Sequence, residues 1–217
     1  MLVLLPPSEG KTAPAAGEPV DLGSLAFAAE LGERREELLD ALDPVLREAP
    51  AGPAAEVYTG VLFQRLELSK LPAKARRRVL IASALWGVVR PDDRIPYYKL
   101  PPKQKLGGIG PLAKFWRPAL AEALPDKEGD LIVDMRSGAY STMWKPQRAA
   151  LLPVRAFTES GGERKAVSHM AKAVRGDVAR VLLQAKKAPV DPDAAAGLTE
   201  SAGFAVELND GNLDVIV

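Results

Sequence analysis

The sequence predicts an α/β fold (α+β mixed), a single domain over residues 1–217 built on a mixed sheet of about six strands, flanked by helices and finished by a C-terminal β-hairpin. Three observations carry that prediction. Apolar runs without polar alternation recur at Leu2–Leu5, residues 79–85 and residues 131–135, the pattern of strands buried within a sheet. Between them lie stretches whose apolar residues repeat every three or four positions, the period of a helix with one buried face. Near the C-terminus, two alternating runs flank Asn209-Asp210-Gly211-Asn212, residues that accept the positive φ angles of a tight hairpin turn.

The first run is stopped by Pro6 and Pro7, and Ser8-Glu9-Gly10-Lys11-Thr12 follows as a polar loop, with loop residues continuing to about Gly23. Residues 24–46 read as an amphipathic helix. Phe27, Leu31, Leu38, Leu42 and Val45 recur at helical spacing opposite Glu33, Arg34, Glu37 and Asp40, and Pro44 bends or ends it. Residues 49–55 are too short and too rich in Pro and Gly for a helix, and they lead to Val57-Tyr58-Thr59-Gly60 and a short helix to Leu66. After the strand over residues 79–85, Gly87, Pro91 and Asp92-Asp93 interrupt regular structure. Residues 101–110 form a Gly-, Pro- and Lys-rich loop, and Pro111 suits the first turn of a helix reaching about Leu124 that carries Lys114, Trp116 and Arg117. A third strand, residues 131–135, ends in Arg136-Ser137-Gly138, and a fourth, residues 154–158, is closed by Gly161-Gly162. Residues 166–187 give the clearest helix, with Val167, Met170, Val174, Val178, Val181 and Leu182 on one face and Lys165, His169, Lys172 and Arg175 on the other.

Composition bounds the chemistry. With 29 basic and 28 acidic residues the net charge is +1, which excludes a uniformly basic coat and confines any anion site to a local groove. Cysteine is absent, so there is no disulfide framework, thiolate nucleophile, iron–sulfur cluster or cysteine zinc site. His169 is the single histidine and cannot build a His-rich metal cage, so neither a metal nor a cofactor is expected. The N-terminal residues lack a basic stretch before their apolar run, and no apolar run approaches the roughly eighteen residues of a membrane span. No signal peptide and no membrane contact are expected, and the cytoplasm is the expected compartment.

Residues 82–100 hold the densest set of ligand-contacting residue types, including Trp86, Arg90, Arg94, Tyr97, Tyr98 and Lys99. Aromatics interleaved with cations suit base stacking and phosphate neutralisation. The plain alternative is a rigid loop whose tyrosines cap the core and whose Arg90 and Arg94 pair with Asp92 and Asp93. Gly10-Lys11-Thr12 is not a nucleotide P-loop, because Leu5 stands where that pattern needs a further glycine. It remains a strand-end turn whose amides and Lys11 hold one anionic group, or a plain surface loop. Ser8 would need a base to act as a nucleophile, and His169 is far along the chain on a basic helix. Asp134 ends a buried strand, where open α/β sheets place functional groups. It reads either as a general base or orienting carboxylate, or as a salt-bridge partner of Arg136 or Lys145. Lys172 and Arg175 are a solvated helix face unless they share a groove with Arg90, Lys99, Arg117 and Arg136.

An ordered set of pieces resembles the YaaA family of peroxide stress proteins: residues 7–12, Val57-Tyr58-Thr59-Gly60, residues 85–91, Pro96-Tyr97, Phe115-Trp116, residues 134–140 and residues 168–176. They span most of the chain. The resemblance implies a cytoplasmic protein of the peroxide and oxidative stress response, with a compact α/β fold, that limits damage by lowering free intracellular iron. It also implies binding of double-stranded DNA through a positively charged cleft and a helix-hairpin-helix element between the first long helix and the Tyr-Thr-Gly segment. Here that interval is residues 47–56, REAPAGPAAE, which cannot form two helices and a hairpin. Any DNA affinity then falls to the groove, with Lys11, Arg90, Lys99, Arg117, Arg136, Lys172 and Arg175 as candidates.

Two functions follow from different classes. One is a non-enzymatic DNA-binding stress protein. The other is an enzyme acting on a nucleobase, nucleotide or other small anion, with Ser8, Tyr58, Asp134 and Tyr140 around an anion site of Lys11, Arg90 and Lys172. Convergence on a deep pocket favours the second, and a long shallow basic cleft favours the first.

Overall fold

The computed structural model describes residues 1–217 apart from Lys105, Ser137, Gly161, Gly162, Ser168, His169 and the side chain of Ser160. The expectations for His169, for Ser137 and for closure at Gly161-Gly162 therefore lie outside the described residues. β1 (Leu2–Leu5) runs straight into the core, and Val3, Leu4 and Leu5 are buried. The first helix is shorter than its apolar pattern. α1 (Ala28–Asp40) cannot extend back through Phe27, whose φ of 59° lies in the left-handed region, and it stops where Pro44 has no N–H for the carbonyl of Asp40. Pro44 instead starts the single turn α2 (Val45–Glu48).

The chain continues through β2 (Ala51–Pro53), α3 (Ala54–Val57), α4 (Val61–Leu66), α5 (Ala73–Arg76), β3 (Val79–Ser83), β4 (Gly87–Val89) and β5 (Arg94–Pro96). Gly87, expected as a stop, opens β4. Its φ of 70° lets residues 84–86 reverse the chain, and a methyl there would stand 2.7 Å from the Trp116 ring. Then come α6 (Leu112–Ala123), β6 (Leu131–Asp134), β7 (Ala150–Ser160), β8 (Glu163–Ala166), α7 (Met170–Gln184), α8 (Pro192–Ser201), β9 (Ala205–Asn209) and β10 (Asn212–Ile216). The expected hairpin is β9–β10, turned by Asp210 and Gly211 with φ of 48° and 73°. Lys165 lies in β8 rather than on a helix, and Met170 is exposed at the start of α7 instead of belonging to its buried face.

The main sheet has eight strands in the order β4-β3-β1-β6-β7-β10-β9, with β8 paired to β7, and β2 and β5 form a separate antiparallel pair. The strands from β3 to β10 along that order are mutually parallel, and β4, β8 and β9 join antiparallel. Buried apolar residues of sheet and helices form one continuous core. Among the described residues no helix is long and apolar enough to cross a membrane.

Two features position the site. The chain leaves β1 for β3 on one side and later takes up β6 on the other, which opens a crevice at the carboxyl ends of these parallel strands. Along one side of that crevice α7 packs on α4 at Gly176, where an added methyl would lie 2.4 Å from the Leu62 carbonyl oxygen.

Candidate functional site

The crevice holds a cavity of about 720 Å³. Its walls are the loop after β1 from Pro6 to Lys11, the start of α4 with Gly60, the stretch from Tyr98 to Lys103, Ala139-Tyr140 after β6, and Lys172 and Arg175 of α7. That is the position where parallel sheets present ligands to loop backbone and helix side chains.

The β1 loop is fixed by a short ladder. Thr59 N–H donates to the Gly10 carbonyl at 3.0 Å, Thr12 N–H donates to the Val57 carbonyl at 2.9 Å, and Lys11 bridges antiparallel to Tyr58. Gly60 N–H donates to Ser8 Oγ at 2.7 Å, an approach that leaves no room for a side chain, since a methyl at 60 would stand 2.2 Å from that oxygen. Ser8 lines the cavity but is buried, and its oxygen is an anchor for the Tyr-Thr-Gly segment.

Beneath the loop runs a chain of buried hydroxyls. Ser83 Oγ accepts from Leu85 N–H at 3.2 Å and Trp86 N–H at 3.0 Å, so its own proton goes to the Tyr98 oxygen 2.7 Å away. The Tyr98 and Tyr58 hydroxyls are in turn 2.7 Å apart. Burial pushes the Tyr58, Tyr98 and Tyr140 hydroxyls well above their ordinary range, which keeps all three protonated. The Lys11 ammonium lies over these rings, 4.6 Å from the Tyr98 centroid and 5.8 Å from that of Tyr58. Desolvation lowers the Lys11 pKa, with the Glu9 charge opposing.

Of the cations picked out by sequence, Lys11, Lys99, Lys172 and Arg175 line this cavity, joined by Lys103. Lys172 Nζ is 3.7 Å from Glu9. Arg175 Nε donates to the Val154 carbonyl at 2.9 Å, and burial lowers its pKa while the Asp134 charge opposes. A groove that also includes Arg90, Arg117 and Arg136 is not what the fold forms. Arg90 donates to the Arg77 carbonyl at 2.8 Å and lies over Phe27, and Arg117 donates to the Thr142 carbonyl at 3.1 Å. Arg136 is buried, doubly bonded to Asp134 at 2.8 and 2.9 Å and to the Trp144 carbonyl at 2.8 Å. Asp134 is thereby occupied, and its salt-bridge reading describes its contacts.

Tyr140 lines the cavity, while Tyr58 lies behind its wall. Arg90 and Arg94 do not pair with the neighbouring aspartates as side chains. Asp92 takes Arg76 at 2.7 Å, and Asp93 accepts from the backbone N–H groups of Ala26 and Arg90 at 3.1 and 2.9 Å. Among the described residues no group of three His, Asp or Glu side chains is placed to hold a metal.

Sequence reasoning missed Arg35. It is fully buried and donates to the Trp86, Val88 and Ala26 carbonyls at 3.2, 2.9 and 2.8 Å, which holds the turn into β4, and desolvation lowers its pKa to about 10. The signal was positional: residue 35 falls on the same helical stripe as Leu31 and Leu38. Trp86 and Trp116 are likewise core residues, and Trp116 Nε1 donates to the Ala84 carbonyl at 2.8 Å.

Comparison with known proteins is consistent over most of the chain. The profile described as peroxide stress protein YaaA matches residues 24–208. A UPF0246 protein of Streptomyces coelicolor is 40% identical over 95% of this chain and 92% of its own length. A UPF0246 protein of Corynebacterium efficiens is 37% identical over 100% of this chain and 98% of its own length. An uncharacterized protein of Campylobacter jejuni is 32% identical over 67% of this chain and 58% of its own.

Proposed function

The chain belongs to the YaaA family of peroxide stress proteins, and on that footing we propose that it works in the cytoplasm, limits free iron and binds double-stranded DNA, whose phosphates are held at the cavity mouth. The observation that supports the binding is the convergence of Lys11, Lys99, Lys103, Lys172 and Arg175 from three separate stretches of a chain with a net charge of only +1. Such local concentration of cations is the electrostatic footprint of a phosphate site. Residues 47–56 are taken up by the end of α2, by β2 and by the start of α3, so contact with the backbone rests on the mouth alone. If each of the four cations other than Lys11 neutralises one phosphate, the logarithm of affinity falls with the logarithm of salt at a slope of about −3.6.

A second reading has its own support. The cavity volume of about 720 Å³ is that of a small-molecule site, and Tyr98 and Tyr140 supply flat walls for a nucleobase or nucleotide. Competition separates the two. Labelled duplex is titrated with the protein and then challenged with a nucleoside monophosphate. Duplex binding that resists the mononucleotide supports the DNA reading, and mononucleotide binding without duplex binding overturns it in favour of the small ligand. In cells, deletion of the gene is expected to raise chelatable iron and peroxide sensitivity, and unchanged iron removes that half of the proposal.

A further inference from the structure

We propose that Lys11 is a carbonyl-condensing amine and that the cavity takes phosphorylated aldehydes or ketones, such as sugar phosphates in their open-chain form. This deepens the phosphate-site reading above and rests on Lys172 and Arg175 holding the phosphate. Four observations carry it. The backbone of Lys11 is pinned by the bridge to Tyr58 and by the flanking bonds at Gly10 and Thr12, so its amine is presented from a fixed point. Its Nζ lies over the Tyr98 and Tyr58 rings in a cavity whose other walls include Leu62 and Phe63, apolar surface for a carbon chain. Among the described residues no carboxylate lies within ion-pair distance of Lys11, since Glu9 pairs with Lys172 instead. Tyr140, kept protonated by burial, lines the same cavity. Desolvation lowers the Lys11 pKa against the opposing Glu9 charge, which favours the neutral amine, the state that attacks carbonyl carbon.

The step balances without a cofactor or an oxidant. The neutral Lys11 amine adds to the carbonyl carbon, an N–C bond forms, and the carbonyl electron pair moves to oxygen, which takes a proton from Tyr140. One nitrogen proton passes to the Tyr140 oxygen and on to the new hydroxyl, which leaves as water while the nitrogen lone pair forms the C=N bond, and the second nitrogen proton then restores the tyrosine. Amine and carbonyl become imine and water. The positively charged form of the imine is an electron sink for chemistry at the adjacent carbon, and the cations of α7 set which carbonyl compounds reach it.

Reductive trapping tests this with the intact chain. The protein is incubated with ribose 5-phosphate and cyanoborohydride, and the modified lysine is mapped by peptide mass. The expected product is one adduct per chain, on Lys11, with a mass gain of the sugar phosphate less one oxygen. Lys11→Arg loses the adduct. The double variant Lys172→Ala with Arg175→Ala lowers trapping by ribose 5-phosphate about tenfold or more while trapping by uncharged glyceraldehyde is unchanged. Adducts spread over Lys99, Lys103, Lys172 and other exposed lysines overturn the assignment of the amine. An adduct on Lys11 that ignores both the phosphate and the double variant overturns the substrate class, and with it the phosphate reading, while the amine stands.

Discussion

Replacing Gly176 by Ala sets two effects of known sign against each other. In a helix interior Ala is preferred over Gly by about 0.8–1.0 kcal/mol, so propensity alone makes the variant more stable. The structure opposes it: the new methyl would stand 2.4 Å from the Leu62 carbonyl oxygen and 2.8 Å from Arg65 Cβ. Ordinary contact is about 3.5–4.0 Å, so α4 and α7 must part by roughly 1 Å, and one of the obstructing atoms is backbone that cannot swing aside. Overpacking of this kind costs about 1–3 kcal/mol, and with the loss of neighbouring packing the net effect is destabilisation by about 1–2 kcal/mol. For a chain of this size that lowers Tm by roughly 2–8 °C in calorimetry. Because α7 carries Lys172 and Arg175 and α4 begins at the wall by Gly60, phosphate affinity falls as well. A Tm equal to or above that of the parent protein refutes the reasoning, since it would mean that the helices part at no cost.

Asp134→Asn removes the charge that faces buried Arg136, and destabilisation of about 3–5 kcal/mol is expected in urea unfolding. A fully stable protein that had lost only its ligand binding would instead return Asp134 to the site. Arg90→Ala is expected to leave phosphate affinity within about twofold of the parent, because Arg90 is spent on the Arg77 carbonyl and Phe27, and a large loss in anisotropy titrations contradicts that placement. Asp126 accepts from the backbone N–H groups of Ala149, Gln147 and Arg148 at 2.7–2.8 Å, which lowers its pKa below the ordinary 3.8. A carboxylate depressed in the folded state contributes stability above pH 3.8 that is lost as pH falls through the lower folded value. Asp126→Asn is therefore expected to reduce Tm at neutral pH and to flatten its fall on acidification, and parallel Tm–pH curves for the two proteins would contradict this.

How much of this was legible depended on whether one segment settles its own fate. β1 and β6 are unbroken apolar runs, and the β9–β10 turn carries its own Asp-Gly signal, so each could be read locally. β4 could not, because three residues become a strand only when Gly87 lets the chain reverse against Trp116, a residue far along the sequence. β8, Glu-Arg-Lys-Ala, has no apolar alternation to read, and α8 is dominated by small residues with a weak apolar stripe. The same limit governs the site. Residue type marked Lys11, Lys99, Lys172 and Arg175 as cations, but their meeting is a product of strand order. Arg136 had the same credentials and was drawn into the core by Asp134 two residues earlier, an outcome that spacing alone does not decide. Arg35 broke the rule that a charge on an apolar stripe is an error, because the Trp86, Val88 and Ala26 carbonyls take its Nε and Nη2 protons, although its buried Nη1 has no partner among the described residues.

The reading of the cavity mouth as a phosphate site is tested by the salt dependence of duplex binding, measured by fluorescence anisotropy for the parent protein and for Lys172→Ala with Arg175→Ala. Removing two of the cations that line the cavity is expected to weaken binding at every salt concentration and to make the slope shallower by about 1.8, the share of two phosphate contacts. Equal affinities and equal slopes for the two proteins would show that the phosphates bind elsewhere.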